Sequence, residues 1–279
     1  MTELRITPLT GVIGAEIEGI EIASPLSSAQ AQELRAALNE YQVLVFRDQP
    51  ITPHEQHAFA SSFGVVDTPL VDPGGAPAPG ITIIQSSLAK SLTDVWHTDQ
   101  PFVKEPPMAA MLHAVTLPSR GGDTCWTNMC AAYDALSAPM KAMLDGLTAV
   151  SNTVRMKRRT AEAGKSFGYL MADEDVIHPV VRVHPDTGRK ALYVCSLYTA
   201  RIVELKEAES RILLDFLFEH SQSVDFMLRL TWKPHTTVIW DERTTIHYAV
   251  GDYDEPRLMH RLILKGTAPV GVNAHAKAA

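Results

Sequence analysis

The sequence contains few cysteines and has no excess of basic residues, and each shortage excludes a class of protein. Its three cysteines, Cys125, Cys130 and Cys195, lack CxxC spacing and are too few to cross-link 279 residues. We therefore expect reduced, buried thiols rather than a disulfide scaffold or a zinc site. The formal net charge of −7 offers no broad positive surface to phosphate backbones, so we expect no nucleic-acid partner.

Long apolar runs are also missing from the first twenty residues, where four charged residues, Glu3, Arg5, Glu16 and Glu18, interrupt the hydrophobic positions. This pattern predicts neither a signal peptide nor a membrane span, and we expect a cytoplasmic protein without a membrane partner. Hydrophobic residues make up 46% of the chain, enough for a large core. Since no repeat or linker divides it, we expect one domain over residues 1–279.

Segments with strand character outnumber helical ones. Strands are predicted at residues 43–46, 81–85, 190–194, 226–232, 237–240 and 258–264. Helices are predicted after Ser27 or Ser28, at the capping box Thr52-Pro53-His54-Glu55, and over residues 206–220. Many strands with a few helices outside them indicate a sandwich or barrel.

Two segments are predicted to be loops. Residues 72–80 are dense in glycine and proline. In residues 151–175, a run of basic side chains interrupts every apolar period, namely Arg155, Lys157, Arg158, Arg159 and Lys165. The length of this second segment suggests a lid or a surface excursion, and its charges either guide an anion or are simply solvated.

An imidazole and a carboxylate stand two residues apart at His97 and Asp99, and would share one face of an extended segment. Alone, the pair is more typical of a surface histidine beside a helix-capping aspartate. A second histidine, His247, follows an apolar strand 150 residues later. Two imidazoles and one carboxylate are typical of Fe(II) sites that activate O₂ with a keto acid, and the lack of thiolate ligands argues against structural zinc.

Basic residues alternate in the last predicted strand, where Arg257, Met259, Arg261 and Ile263 would share one face. A buried guanidinium needs an anion, and its fork matches a carboxylate, so the pattern predicts a dicarboxylate co-substrate. The alternative is a pair of solvated arginines with His260 and Leu262 facing inward.

Several longer segments, in order along the chain, carry a resemblance to a known family. They are ITPLTGVIGAEIEGI (6–20), VLVFRDQPITP (43–53), WHTDQPF (96–102), LPSRGGDTCW (117–126), HPVVRVHPDTGRKALYV (178–194), TARIVEL (199–205), WDERTTIHYAVGDY (240–253) and RLMHR (257–261). Over nearly its whole length the chain resembles the TauD/TfdA family, the taurine and phenoxyacetate dioxygenases that depend on Fe(II) and 2-oxoglutarate.

The resemblance implies a role for each matching residue and a fold. His97, Asp99 and His247 would bind iron, Thr124 and Arg257 would hold the distal carboxylate of 2-oxoglutarate, and Arg261 would lie near the other end of the co-substrate and also meet an anionic substrate. The implied fold is a double-stranded β-helix, a jelly-roll barrel that is mostly β with flanking helices. The implied assembly is a homodimer or homotetramer.

The implied reaction couples the decarboxylation of 2-oxoglutarate by O₂, to succinate and CO₂, with hydroxylation of a second substrate. Related halogenating enzymes lack the ligand carboxylate, so Asp99 argues against halogenation. Taurine is not the expected substrate, because Phe63-Gly64 is followed by Val65, Val66, Asp67, Thr68 and Pro69, where taurine dioxygenases carry a histidine.

The substrate pocket is predicted from three further positions. Thr93 stands where those enzymes carry an asparagine, and Phe102 and Tyr198 match pocket aromatics. The hypothesis is a small organic acid with an apolar body, anchored by Arg261. Two alternatives stay open: the same iron site could desaturate, cleave a C–X bond or epimerise, or the protein could be a jelly roll that binds a ligand without turnover.

Overall fold

The computed structural model describes residues 4–68, 76–86, 93–164 and 174–273, and these residues form sixteen β-strands and six α-helices. The strands are β1 (Arg5–Pro8), β2 (Ala15–Glu18), β3 (Val43–Phe46), β4 (Thr82–Ser86), β5 (Ala109–Thr116), β6 (Thr124–Asn128), β7 (Thr148–Ser151), β8 (Val176–Pro179), β9 (Val181–Val183), β10 (Lys190–Leu192), β11 (Thr199–Ile202), β12 (Met227–Leu230), β13 (Thr237–Asp241), β14 (Thr245–Ala249), β15 (Arg257–Leu264) and β16 (Val270–Gly271). The helices are α1 (Ser28–Tyr41), α2 (Pro53–Ser61), α3 (Met129–Asp134), α4 (Ala138–Leu144), α5 (Val154–Glu162) and α6 (Glu207–Ser221).

Local sequence signals explain where the first two helices begin. Ser27 caps α1 and Thr52 caps α2, each in a reciprocal capping box with the residue three positions later. Pro53 occupies the first turn of α2, where its missing N–H costs no hydrogen bond. These two predictions are confirmed, as is the third helix, which begins at Glu207 as α6.

Two sheets form the barrel, as expected for a jelly roll. The larger has seven strands in the order β1-β2-β3-β13-β5-β15-β4, and a three-stranded sheet has the order β12-β6-β14. The six predicted strands are all present as β3, β4, β10, β12, β13 and β15, with ends shifted by up to two residues. Residue 226 belongs instead to a short 3-10 helix, Val224–Phe226.

The central strands β3 and β13 of the large sheet are buried on both faces, and alternate residues of the central strands belong to different cores. Leu44 and Phe46 pack with Leu34 and Phe59 of the helices α1 and α2. Val43 and Val45 point the other way and pack with Trp126 of the small sheet. In β15, Met259 and Ile263 lie in this inter-sheet core, so the odd-numbered residues of that strand face the barrel interior.

The segment 151–175 is not the continuous loop that its basic residues predicted. Ser151 ends β7 and residues 154–162 form α5, while residues 165–173 lie outside the described part. Met156 and Thr160, four residues apart, are buried on one face of this helix, and the basic residues occupy the other faces. The prediction was wrong because it counted charges without placing them on a helical surface. The lid remains a prediction.

Other expectations concern cysteines, the early loop and membrane helices. All three cysteines are free and buried, as predicted. Of the predicted loop 72–80, residues 72–75 lie outside the described part, and residues 76–80 carry neither helix nor strand. Among the residues that the structure describes, no helix combines the length and apolar character needed to cross a membrane.

The buried His113 makes the stability of the fold depend on pH. Burial, followed by the neighbouring His260 and His235, lowers the pKa of His113 from 6.5 to about 4. The imidazole of His113 binds a proton more tightly in the unfolded chain than in the folded one. The contribution of neutral His113 to the unfolding free energy is therefore complete above pH 6.5 and is lost as the pH falls towards 4. Between pH 7.5 and 5 the loss from this group amounts to about 2 kcal/mol.

We therefore expect His113→Gln to reduce the loss of unfolding free energy between pH 7.5 and 5 by about 2 kcal/mol. Urea unfolding at both pH values measures it, and His54→Gln, at an exposed position on α2, is the matched control. An equal pH dependence in wild type and His113→Gln would show that His113 does not titrate in this way.

Candidate active site

Three side chains predicted to bind iron lie together inside the barrel. His97, Asp99 and His247 each offer one ligand atom, and these atoms lie within 4.8 Å of one another. The Nε2 atoms of both histidines are 3.9 Å from Oδ1 of Asp99. No other group of three or more such side chains with this spacing occurs in the described part of the chain.

The backbone brings the two histidines together. His97 and His247 form an isolated antiparallel bridge in which each N–H donates to the carbonyl of the other, at 3.0 and 2.6 Å. Side chains of directly opposed residues project to the same side of such a bridge, and the two imidazole centroids are 4.1 Å apart. Asp99, two residues after His97, then lies on the same side.

Protonation in this cluster suits metal binding. Burial lowers the pKa of His97, and burial together with the nearby His97 lowers the pKa of His247 well below its ordinary value. Burial alone would raise the pKa of Asp99, but Arg261 and the two histidines hold it well below its usual range. Two neutral imidazoles and one carboxylate are the forms in which these residues bind a cation.

The orientation of His97 is fixed by a backbone carbonyl. Its Nδ1 donates a hydrogen bond of 2.7 Å to the carbonyl of Val95, which leaves the Nε2 lone pair for a metal. The Nδ1 of His247 is buried and has no hydrogen-bond partner among the described residues. The residues present therefore fit a divalent metal such as Fe(II), with three protein ligands and further positions open to other ligands.

Sequence reasoning missed Glu242, which is buried beside the cluster and 1% exposed. Its Oε2 accepts hydrogen bonds from Thr98 Oγ1 (2.7 Å) and from the Asp99 backbone N–H (2.9 Å). Burial and then the charge of Asp99 raise the pKa of Glu242 well above its ordinary value. The available signal was an acidic residue between the predicted strand 237–240 and His247.

Thr124 and Arg257, the predicted 2-oxoglutarate residues, meet across Trp232. The Trp232 Nε1 donates to Thr124 Oγ1 at 3.0 Å, and the Arg257 guanidinium lies 5.8 Å from the centre of a Trp232 ring. Arg257 is buried, its Nε has no hydrogen-bond partner, and no carboxylate pairs with it among the described residues. Burial lowers the pKa of Arg257, and a hydrogen bond with the Tyr253 side chain offsets part of this effect. A buried guanidinium in this state favours an anionic ligand.

Gly122 lets the backbone approach Arg257. It has φ +71°, and a Cβ added there would lie 3.3 Å from Arg257 Cδ. The preceding Gly121, with φ +74°, has no room for a side chain beside Asp252. The two glycines thus make the turn into β6, which begins with Thr124.

Arg261 lies next to the predicted metal ligands and contacts one of them, Asp99. Its guanidinium forms a salt bridge with Asp99 Oδ2, while Oδ1 of the same carboxylate faces the histidines. This is the only hydrogen bond that Arg261 makes with a described side chain, so other donors of its fork are free to meet a ligand. Both arginines are directed into the barrel, which agrees with the predicted alternation and not with the solvated alternative.

Two of the predicted substrate residues form one wall. The rings of Phe102 and Tyr198 have centroids 5.1 Å apart, and Tyr198 is 6.4 Å from the ring of His97. Burial and the charge of Asp99 raise the pKa of Tyr198, which keeps its hydroxyl protonated. The third predicted residue, Thr93, lies beside the end of β14, where its backbone carbonyl accepts a hydrogen bond from the N–H of Ala249.

Comparison with known proteins adds relatives that span most of the chain. A model of the taurine catabolism dioxygenase TauD, TfdA family matches residues 5–263. An alpha-ketoglutarate-dependent sulfate ester dioxygenase of Pseudomonas putida is 34% identical over 97% of this chain and 92% of its own length. An alkylsulfatase of Acinetobacter baylyi is 34% identical over 97% and 88%. The crystal structure of a taurine dioxygenase from Burkholderia xenovorans superposes with a TM-score of 0.84 at 34% identity, over 97% of this chain and 94% of that one.

Proposed function

Because the chain belongs to the taurine catabolism dioxygenase TauD, TfdA family, we propose that it oxidises a small organic anion bound between Arg261 and the Phe102–Tyr198 wall. The protein is an oxidoreductase, a dioxygenase that depends on Fe(II), 2-oxoglutarate and O₂. When bound, the iron supplies the oxidative chemistry, in which decarboxylation of 2-oxoglutarate to succinate and CO₂ is coupled to hydroxylation of the substrate.

In this proposal His97, Asp99 and His247 are the metal ligands. Thr124 and Arg257 hold the distal carboxylate of 2-oxoglutarate, the hydroxyl by a hydrogen bond and the guanidinium as a fork. The contacts of Trp232 to both residues support it, because one buried indole keeps them at a fixed distance from each other. The glycines before β6 leave the backbone close to the same carboxylate.

The observation that carries the substrate class is Arg261. Its guanidinium is one carboxylate away from the proposed metal position and has donors that no described side chain uses. A buried cation there favours an anionic group on the substrate, and the aromatic wall favours an apolar body next to it. The relatives that act on sulfate esters and alkyl sulfates are named for substrates of this kind.

A sulfate ester gives the reaction a second stage. Hydroxylation of the carbon that bears the sulfate oxygen forms an unstable adduct, which collapses to an aldehyde and releases inorganic sulfate. The overall balance is one ester, one O₂ and one 2-oxoglutarate giving one aldehyde, one sulfate, one succinate and one CO₂. With a sulfate ester as substrate, cleavage of the C–O bond follows from hydroxylation and does not require a separate activity of the iron site.

We expect an anion panel to identify the class. Alkyl sulfates, alkanesulfonates and aryloxyacetates, each paired with its neutral alcohol, are tested for succinate formation with Fe(II), ascorbate and 2-oxoglutarate. At least one anion should exceed its alcohol by about 10-fold or more, since a charged hydrogen bond contributes about 1.5–3 kcal/mol. For a sulfate ester, sulfate and succinate should appear in equal amounts.

The Arg261→Met variant should lose the preference for the anion. A neutral compound that stimulates succinate formation by wild type as strongly as any anion would contradict the proposed substrate class. The assignment of dioxygenase activity would still stand.

Three finer predictions accompany this function and rest on the family resemblance and composition. They are a cytoplasmic location, a homodimer or homotetramer, and one domain over residues 1–279. Light scattering of the purified protein tests the assembly.

A further inference from the structure

The carboxylate of Glu242 touches three parts of the proposed metal site. Oε2 accepts hydrogen bonds from Thr98, which lies between two ligands, and from the backbone of Asp99. Oε1 accepts the Trp240 Nε1–H at 2.7 Å and lies 4.0 Å from Nδ1 of His247. The Trp240 ring itself packs 5.1 Å from the His247 ring.

The two ligand histidines differ in what holds their outer nitrogen. An imidazole that binds a metal through Nε2 carries its proton on Nδ1, and this proton needs an acceptor. The Val95 carbonyl serves His97 at 2.7 Å. The Nδ1 of His247 has no such partner among the described residues, and the carboxylate oxygen of Glu242 faces it from 4.0 Å.

We propose that Glu242 is a positioning residue of the metal centre, which accepts the Nδ1–H of His247 and holds Asp99 through its backbone. This rests on the ligand set of the proposed function. The separation of 4.0 Å is longer than a hydrogen bond, so the proposal requires Glu242 Oε1 and His247 Nδ1 to approach by about 1 Å. The same carboxylate then fixes two ligands that come from distant segments.

The contacts of Glu242 separate this role from a general structural one. No Lys or Arg among the described residues forms a salt bridge with it, and its side-chain hydrogen bonds to described residues go to Thr98, the Asp99 backbone and Trp240. Its neighbour Asp241 is equally buried but bonds to Arg243 and His184, away from the ligands. Asp241 is therefore a matched control for removal of a buried carboxylate.

The test is the affinity of the metal-free protein for Co(II), measured by anaerobic calorimetry together with the visible spectrum of bound Co(II). Glu242→Gln keeps the volume but cannot accept hydrogen bonds at both ends. For Glu242→Gln we expect a Kd for Co(II) that is about 10- to 100-fold higher than in wild type, with shifted ligand-field bands of the bound Co(II). Asp241→Asn should lower the Tm and leave the Kd within about 3-fold, because the Asp241 side chain bonds to Arg243 and His184 and not to a ligand.

Thr98→Val, which removes one donor to Glu242 without touching a charge, is measured beside it and should weaken Co(II) binding by a few-fold. Should Glu242→Gln fail to fold, Thr98→Val decides the question. An unchanged Kd and spectrum in the folded variants would overturn the positioning role. A wild type that binds Co(II) no better than His97→Ala would instead refute the ligand set itself.

Discussion

Purified His97→Ala and Asp99→Ala should each form succinate from 2-oxoglutarate more slowly than wild type by on the order of 1,000-fold or more. Each variant removes one of the three ligand atoms that lie within 4.8 Å of one another. Loss of the metal's contribution corresponds to several kcal/mol of activation free energy, and about 4 kcal/mol is a factor of 1,000. Anaerobic titration measures the affinity for Fe(II), and a succinate assay measures the rate of turnover.

His54→Ala is the control for this experiment, because His54 is an exposed histidine on α2, away from the ligand cluster. It should bind Fe(II) and turn over as wild type does. Asp99→Ala also releases Arg261 from its salt bridge, so His97→Ala is the cleaner of the two variants. Near-normal turnover of folded His97→Ala would refute the ligand assignment.

Arg257→Met should raise the KM for 2-oxoglutarate by about 100-fold, with a smaller effect on kcat. Removing one partner of a buried, hydrogen-bonded charge pair costs about 2–5 kcal/mol, and about 3 kcal/mol is close to 100-fold. Arg257→Lys should be intermediate, since it keeps the charge but loses the fork. Initial rates at varied 2-oxoglutarate measure the effect.

Arg201→Met, at an exposed position on β11, is the matched control and should leave the KM unchanged. A second readout separates the two arginines of β15. If Arg257→Met raised the KM of the organic substrate and not that of 2-oxoglutarate, the roles proposed for Arg257 and Arg261 would have to be exchanged.

Much of the scaffold could be predicted because its signals are local. Capping boxes mark the starts of α1 and α2, and the alternation in β15 predicts which side chains face inward. The sequence pattern alone indicated only a sandwich or barrel, and the family resemblance supplied the jelly roll. Helix α5 was missed because a buried face of only two residues, Met156 and Thr160, gives a weak period among so many charges.

The site was predictable in its parts but not in its connections. His97 and Asp99 are close in sequence, whereas their contact with His247 depends on a bridge between segments 150 residues apart. Glu242 lies in one of the segments that carry the resemblance, but no role was predicted for it, and only the three-dimensional structure shows that it faces Asp99 and His247. Trp232 is buried in the core, and it also contacts both Thr124 and Arg257.

The paired backbone of His97 and His247 has a consequence for how such a protein can vary. Two main-chain hydrogen bonds set the spacing of the two proposed histidine ligands. Substitution of side chains in the pocket therefore leaves His97 and His247 in place. A slip of pairing by one residue would instead turn one imidazole to the opposite face. Under the proposed assignment, we expect substitutions around Phe102 and Tyr198 to change the substrate preference, whereas insertion of one residue beside either histidine should displace a metal ligand and abolish activity.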